Sequence, residues 1–168
     1  MKPSIKLFTT AAILALSLSQ AKADEHALFS TQSLTPETAL KAVTAAMKQC
    51  RDNGYQVTVA VVDRMGNLQA TLRDRFAGAH TPETARRKAW TATSFRTNTS
   101  DLVGPTQAGQ QQSGVRHVSG ALMLGGGVLI DAGGSLVGAI GVSGAPNGEA
   151  DDVCARAGIA AIEDDISF

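Results

Sequence analysis

Apolar residues recur at Leu40, Val43, Ala46, Met47 and Cys50, a spacing that puts them on one face of a helix. That stretch opens with "TPETAL": Thr35 is a good N-cap, Pro36 fits the first turn, and Gly54 closes the helix. The period then drops to two. Tyr55, Val57, Val59 and Val61 alternate with Gln56, Thr58 and Ala60, and Leu68, Ala70 and Leu72 alternate beyond the turn "RMGN". This pattern predicts a β-hairpin. A second "TPETA" begins at Thr81, where Thr81 and Pro82 again suit a helix start. Ala85, Ala89, Ala92 and Phe95 then form a narrow stripe suited to close packing on a sheet. The flanks of the two copies differ, so the repeat is one capping solution used twice.

From Asn98 to Gly114 the chain is polar and broken by Gly104 and Pro105, which predicts a short helix and a mobile loop. In "ALMLGGGVLIDAGGSLVGAIGVSG", Gly125 to Gly127 interrupt two short strands. "DAGG" at Asp131 to Gly134 makes a second hairpin turn, and the last strand follows it. "EADDVCARAGIAAIEDD" closes the chain as a helix, with Val153, Ala157, Ile159, Ala160 and Ile162 expected to face inward. Strands joined by short turns, with helices before, between and after them, predict an α+β fold: an antiparallel sheet with helices packed on it.

The N-terminus changes this picture. Lys2 and Lys6 precede the apolar run "LFTTAAILALSLS", and "AKA" follows at Ala21 to Ala23. This is the layout of a secretory signal peptide over residues 1–23, too short in its apolar part to span a bilayer. The expected mature chain, residues 24–168, starts at Asp24 with a polar, frayed stretch and is one domain, secreted or periplasmic. The full chain has 15 basic and 15 acidic residues. Lys2, Lys6 and Lys22 leave with the leader, so a mildly acidic surface remains, with no support for nucleic-acid binding. Cys50 and Cys154 are either two buried thiols or a bridged pair, and export favours the bridge. No C-x-x-C is present, which argues against a thioredoxin-type site or a zinc knuckle.

"GAIGVSGAPNGEADD", Gly138 to Asp152, has the outline of a phosphate-cradling loop: strand, glycine-rich turn, helix start. Glu149, Asp151 and Asp152 in the first turn would repel a phosphate or a propionate, and no P-loop lysine follows. The expected role is steric. Gly138 and Gly141 admit a helix or a neighbouring subunit, Gly144 and Gly148 turn the chain, and Asn147 or Gly148 lies near the cap.

"VAVVDRMGNL", "RRKAWTA", "GGGVLID" and "VGAIGVSGAPNGEADDVCARAGI" together resemble the GlcG/HbpS family of haem-binding-like proteins, from about Leu34 to Ile162. The resemblance implies a profilin-like α+β fold with a five-stranded antiparallel sheet, and homo-oligomers. In some members it implies haem binding and a role as an exported haem sensor linked to a membrane partner. A related domain fused to a corrinoid enzyme also binds haem. The axial ligand differs among members, so none transfers by motif.

A haem iron needs an axial donor, and imidazole is the usual one. His80, between a strand and a helix, and His117, at the end of the polar loop, are the candidates; each is otherwise an ordinary surface histidine. Arg73, Arg75, Arg86, Arg87 and Lys88 cluster beside His80 and suit propionates, or salt bridges with Asp74 and Glu83. Lys88 lies near the apolar stripe and is placed to reach a carboxylate at a pocket or a subunit contact. His26 would stand third in a mature chain beginning Asp-Glu-His, where a free amine, two amides and an imidazole can hold Cu(II) or Ni(II). No G-x-S-x-G elbow is present; Asp63, Asp74 and Glu83 are acid/base candidates with no telling spacing. Three readings follow: an exported oligomeric haem or tetrapyrrole binder, a ligand-free interaction module, and an enzyme in which Arg73 and Lys88 hold a small organic acid.

Overall fold

The computed structural model describes residues 27–167, so the leader and His26 lie outside the described residues. The chain forms two units, Met1–Thr31 and Gln32–Phe168. Residues 27–31 of the first contain no helix or strand. The second runs α1 Pro36–Asp52, β1 Thr58–Asp63, β2 Leu68–Arg73, α2 Thr81–Phe95, α3 Thr99–Val103, a 3-10 turn Ser113–His117, β3 Gly127–Ala132, β4 Ser135–Ser143, α4 Gly148–Ala160 and α5 Glu163–Ile166. The strands form one antiparallel sheet in the order β2-β1-β4-β3.

Thr35 caps α1 as its place predicts, accepting from the Thr38 N–H at 3.2 Å. The second "TPETA" behaves differently. His80 is the N-cap residue of α2, without a side-chain cap, and Thr81 is already helical. The Thr81 hydroxyl donates to the Gly78 carbonyl at 2.7 Å and accepts from Thr58 Oγ1 at 2.7 Å, which ties α2 to the sheet.

Both faces of the sheet are covered. Val57, Val59, Val61, Ile140 and Val142 pack with Val43, Met47 and Cys50 of α1 and Cys154 and Ala155 of α4. On the opposite face Val62 and Ala139 meet Ala89 and Ala92 of α2. The inward stripes of α1 and α4 differ from the expected ones. Leu40 is 49% exposed and Val153 52% exposed. Ala160 is exposed as well. In α1 the expected Val43, Ala46, Met47 and Cys50 are buried, with Ala39 and Ala42 in place of Leu40; in α4 the buried positions are Asp151, Cys154, Ala155 and Gly158. Small residues win because the helices lie close: a Cβ on Gly158 would stand 2.7 Å from the Ala42 carbonyl oxygen. Cys50 and Cys154 are joined as a disulfide between these two helices.

The sheet has four strands among the described residues, not five. The strand expected before Gly125 does not form, because its backbone groups are taken by α2. The Leu122 N–H donates to Thr91 Oγ1 at 2.9 Å, and Arg87 donates to the carbonyls of Gly120 and Ala121 at 3.1 and 2.6 Å.

Gly141 admits a helix, as expected. A Cβ there would lie 2.0 Å from the Ala85 carbonyl oxygen of α2. At Gly138 the close neighbour is the sheet itself rather than a helix: a Cβ there would meet the Val62 carbonyl of the adjacent strand at 2.3 Å. Gly141→Ala is therefore expected to cost about 1–3 kcal/mol by overpacking. Urea denaturation measures it, and an unchanged midpoint would mean that α2 can lift from β4 freely.

Candidate functional site

Ser143 follows Gly141 by two residues, so its side chain shares the α2 face of the sheet, opposite Thr58 in the β1–β4 register. α2 begins at Thr81, near this end of the sheet. A cleft of about 730 Å³ opens there. Phe76, Gly78 and His80 form one wall, and the 144–148 turn with the start of α4 forms another. Tyr55, Gln56 and Ser143 lie at its base, and Leu124 stands on the rim.

Lys88 and Asp151 also line this cleft, both almost fully buried. Lys88 Nζ donates to Asp151 Oδ2 at 2.6 Å and to the Val142 carbonyl at 2.9 Å. Lys88 thus passes the end of β4 to a carboxylate within its own chain. Burial raises the Asp151 pKa, opposed by the charge and hydrogen bond of Lys88 and by the Ala145 N–H. Asp152 turns the other way, accepting from the Gly126 N–H at 2.7 Å and from the Ser100 hydroxyl. The acidic start of α4 therefore does not present a row of carboxylates to a ligand. Gly144 makes the turn with φ +131°, and Asn147 caps α4 by accepting from the Ala150 N–H at 2.8 Å. Gly148 has a different role from the expected turn: its Cβ would stand 2.7 Å from Gly125 Cα, so two backbones meet there.

The basic cluster separates. Arg73 donates to the Ala77 carbonyl. Arg51, not singled out in the sequence, holds buried Asp74 through two bonds of 2.7 and 2.9 Å, and Arg75 stands 3.9 Å from the same carboxylate. The Arg51 bonds hold the Asp74 pKa down at about 2 against the opposing effect of burial. Arg86 pairs with Glu83 at 2.7 Å, and Arg87 serves the 120–121 carbonyls. Asp63 accepts from the Met65 and Asn67 N–H groups of its own hairpin turn. Of the predicted site residues, His80 and Lys88 line the cleft; Arg73, Arg75 and His117 do not. His117 sits exposed on the 3-10 turn. The His80 imidazole packs over Gly78 and makes no hydrogen bond among the described residues. Sequence reasoning missed Tyr55, Gln56 and Ser143. Their one signal is polarity beside apolar central strands: Ser143 ends β4, and Tyr55 and Gln56 precede β1.

Residues 34–160 match the model of a family described as haem degrading protein HbpS-like. The chain belongs to the HbpS-like family. Among solved structures, a double mutant of Streptomyces reticuli HbpS is 39% identical, with a TM-score of 0.75, and the match covers 90% of this chain and 97% of that one. A crystal structure of a PduOC–haem complex is 32% identical, with a TM-score of 0.73, covering 77% of this HbpS-like chain and 95% of that one. The corrinoid adenosyltransferase PduO of Salmonella typhimurium is 34% identical over 120 residues, 70% of this chain and 35% of that protein. The chain thus spans about a third of the length of the curated relatives it matches.

Proposed function

We propose that this protein is an exported, oligomeric haem-binding protein, acting as a sensor or carrier, and that the ligand enters the cleft beside His80. One observation carries the reading: an imidazole without a hydrogen-bond partner among the described residues lines a cleft of about 730 Å³, in a fold whose relative PduOC was crystallised with haem. The residues fit the group. The volume lies within the range of about 300–1,000 Å³ usual for small-molecule sites. Phe76, 79% exposed, and Leu124, 49% exposed, offer apolar surface to a flat ring. His80 would hold the iron, and bound haem would supply an iron centre whose properties follow from its ligands and surroundings. Export draws support from the basic–apolar–"AKA" leader and from the Cys50–Cys154 bridge, a linkage that persists in oxidising compartments. A membrane sensor would be the partner of such a protein. The small-acid enzyme draws less support: Lys88 is committed to Asp151, and Asp63, Asp74 and Glu83 are bonded elsewhere.

Adding haem to the mature protein should give a shifted Soret band. His80→Ala is expected to weaken binding by at least the about 10–100-fold that losing an outer-shell partner of a metal ligand costs, and His117→Ala to leave it unchanged. Absence of any shift in the wild type would overturn the haem reading. Equal affinity in His80→Ala would overturn the assignment of the iron to His80.

A further inference from the structure

An iron donor at His80 leaves the polar base of the cleft without a role. Ser143 is only 5% exposed and lines the cleft, yet its hydroxyl makes no hydrogen bond among the described residues. Gln56, which also lines the cleft, has its Oε1 buried without a partner among the described residues. Native proteins rarely leave a fully buried group such as Gln56 Oε1 unpaired, because it carries an uncompensated desolvation cost; the Ser143 hydroxyl is open to the cleft.

The starts of two long helices converge on the same end. His80 and Thr81 bring the start of α2, which has no side-chain cap, and Asn147 and Gly148 bring the start of α4. Asn147 satisfies only the Ala150 N–H by its side chain, and the first N–H groups of a helix have no partner within it. Each helix start carries about half a unit of positive charge, so the two together match a single negative charge better than a phosphate dianion. Asp151 does not oppose this, since Lys88 neutralises it, and exposed Glu149 is not part of the lining.

We infer that this inner end of the cleft is a carboxylate subsite, in which the Ser143 hydroxyl and the N–H groups at the start of α4 hold the acid of the ligand. The Gln56 amide serves the same group once turned to present Nε2, an exchange of near-identical atoms. The inference rests on the reading that the cleft binds a ligand. The carboxylate is either a propionate arm of a tetrapyrrole or a free small acid.

Two titrations of the mature protein separate these sources. In the first, haem and haem dimethyl ester are compared by absorbance. The wild type is expected to prefer the free acid by about tenfold, the worth of one charge-assisted hydrogen bond. Ser143→Ala and Gln56→Leu should erase that preference while leaving ester binding unchanged. In the second, sodium propionate is added in a thermal melt; a rise in the wild type that Ser143→Ala loses assigns the subsite to free acids as well. Ser143→Ala removes only an unpaired hydroxyl, so its ligand-free melt should match or exceed the wild type. If haem gives no Soret shift but propionate stabilises in a Ser143-dependent way, the haem reading falls and the subsite stands. If haem and its ester bind alike and propionate does nothing, the subsite falls while the haem reading stands.

Discussion

Replacing Lys88 by methionine should destabilise the fold by about 3–5 kcal/mol near neutral pH, because it strands a buried carboxylate. Lys88 and Asp151 are 4% and 3% exposed, and among the described residues the Lys88 ammonium is the one cation bonded to Asp151. What remains for Asp151 after the change is the Ala145 N–H, with Asp152 close enough to repel it. The pH dependence follows from the raised Asp151 pKa. The unfolded chain releases this proton first, so the stability due to protonated Asp151 is complete below the unfolded pKa and is lost as pH rises through the folded one. Removing Lys88 deletes the two strongest interactions that oppose that rise. The penalty should therefore be larger near about pH 8 than near about pH 5. Lys88→Met combined with Asp151→Leu should recover most of the loss, since an apolar pair of similar volume often replaces a buried ion pair without cost. Urea denaturation of the three proteins at both pH values is the measurement. A single-variant penalty below about 1 kcal/mol would show the pair to behave like a solvated surface bridge.

Loss of the Cys50–Cys154 bridge should cost about 2–5 kcal/mol. The two cysteines are 104 residues apart in sequence, and a closed loop of about 100 residues corresponds to about 4.7 kcal/mol in the chain-entropy model. The folded state should change little, because α1 and α4 remain in contact through Ala42, Ala46 and Gly158. The effect therefore falls chiefly on the unfolded chain, which becomes less restricted. Thermal melts of the mature protein with and without a strong thiol reductant, beside a Cys50→Ala/Cys154→Ala variant, should agree in a lowered midpoint with native far-UV circular dichroism. Identical midpoints in all three would mean that the cross-link adds nothing to the packing of the two helices. The same experiment bears on the compartment, since a fold that leans on this bridge is suited to an oxidising one.

Much of the fold was legible from residue order. Thr35, Pro36 and Gly54 bound α1, and the alternation around "RMGN" produced the first hairpin. The small stripe of α2 correctly signalled a helix lying close on a sheet, with Gly141 beneath it. The stripes of α1 and α4 were misjudged at Leu40, Val153 and Ala160, since periodicity weights large apolar residues and cannot know that close helix contact rewards alanine and glycine. The segment before Gly125 read as a strand because nothing local announces that Thr91 and Arg87 will take its backbone groups.

For the site the division is sharper. His80 and Lys88 could be picked out as chemically capable residues in a suggestive neighbourhood, and the Gly138–Asp152 segment as a special corner. Alone, the sequence determined the helices, the hairpins and the caps of α1 and α4, and the family to which the chain belongs. Those features depend on backbone preferences and on patterns within a few residues. Tertiary structure decided that the corner forms one wall of a cleft, that Lys88 neutralises Asp151 across 63 positions, and that Arg73, Arg75 and His117 stand outside it. It also buried Gln56 Oε1 without a partner among the described residues and set Ser143, 5% exposed, in the cleft lining. Burial, desolvation and the meeting of two helix starts arise only from contacts between residues distant along the chain.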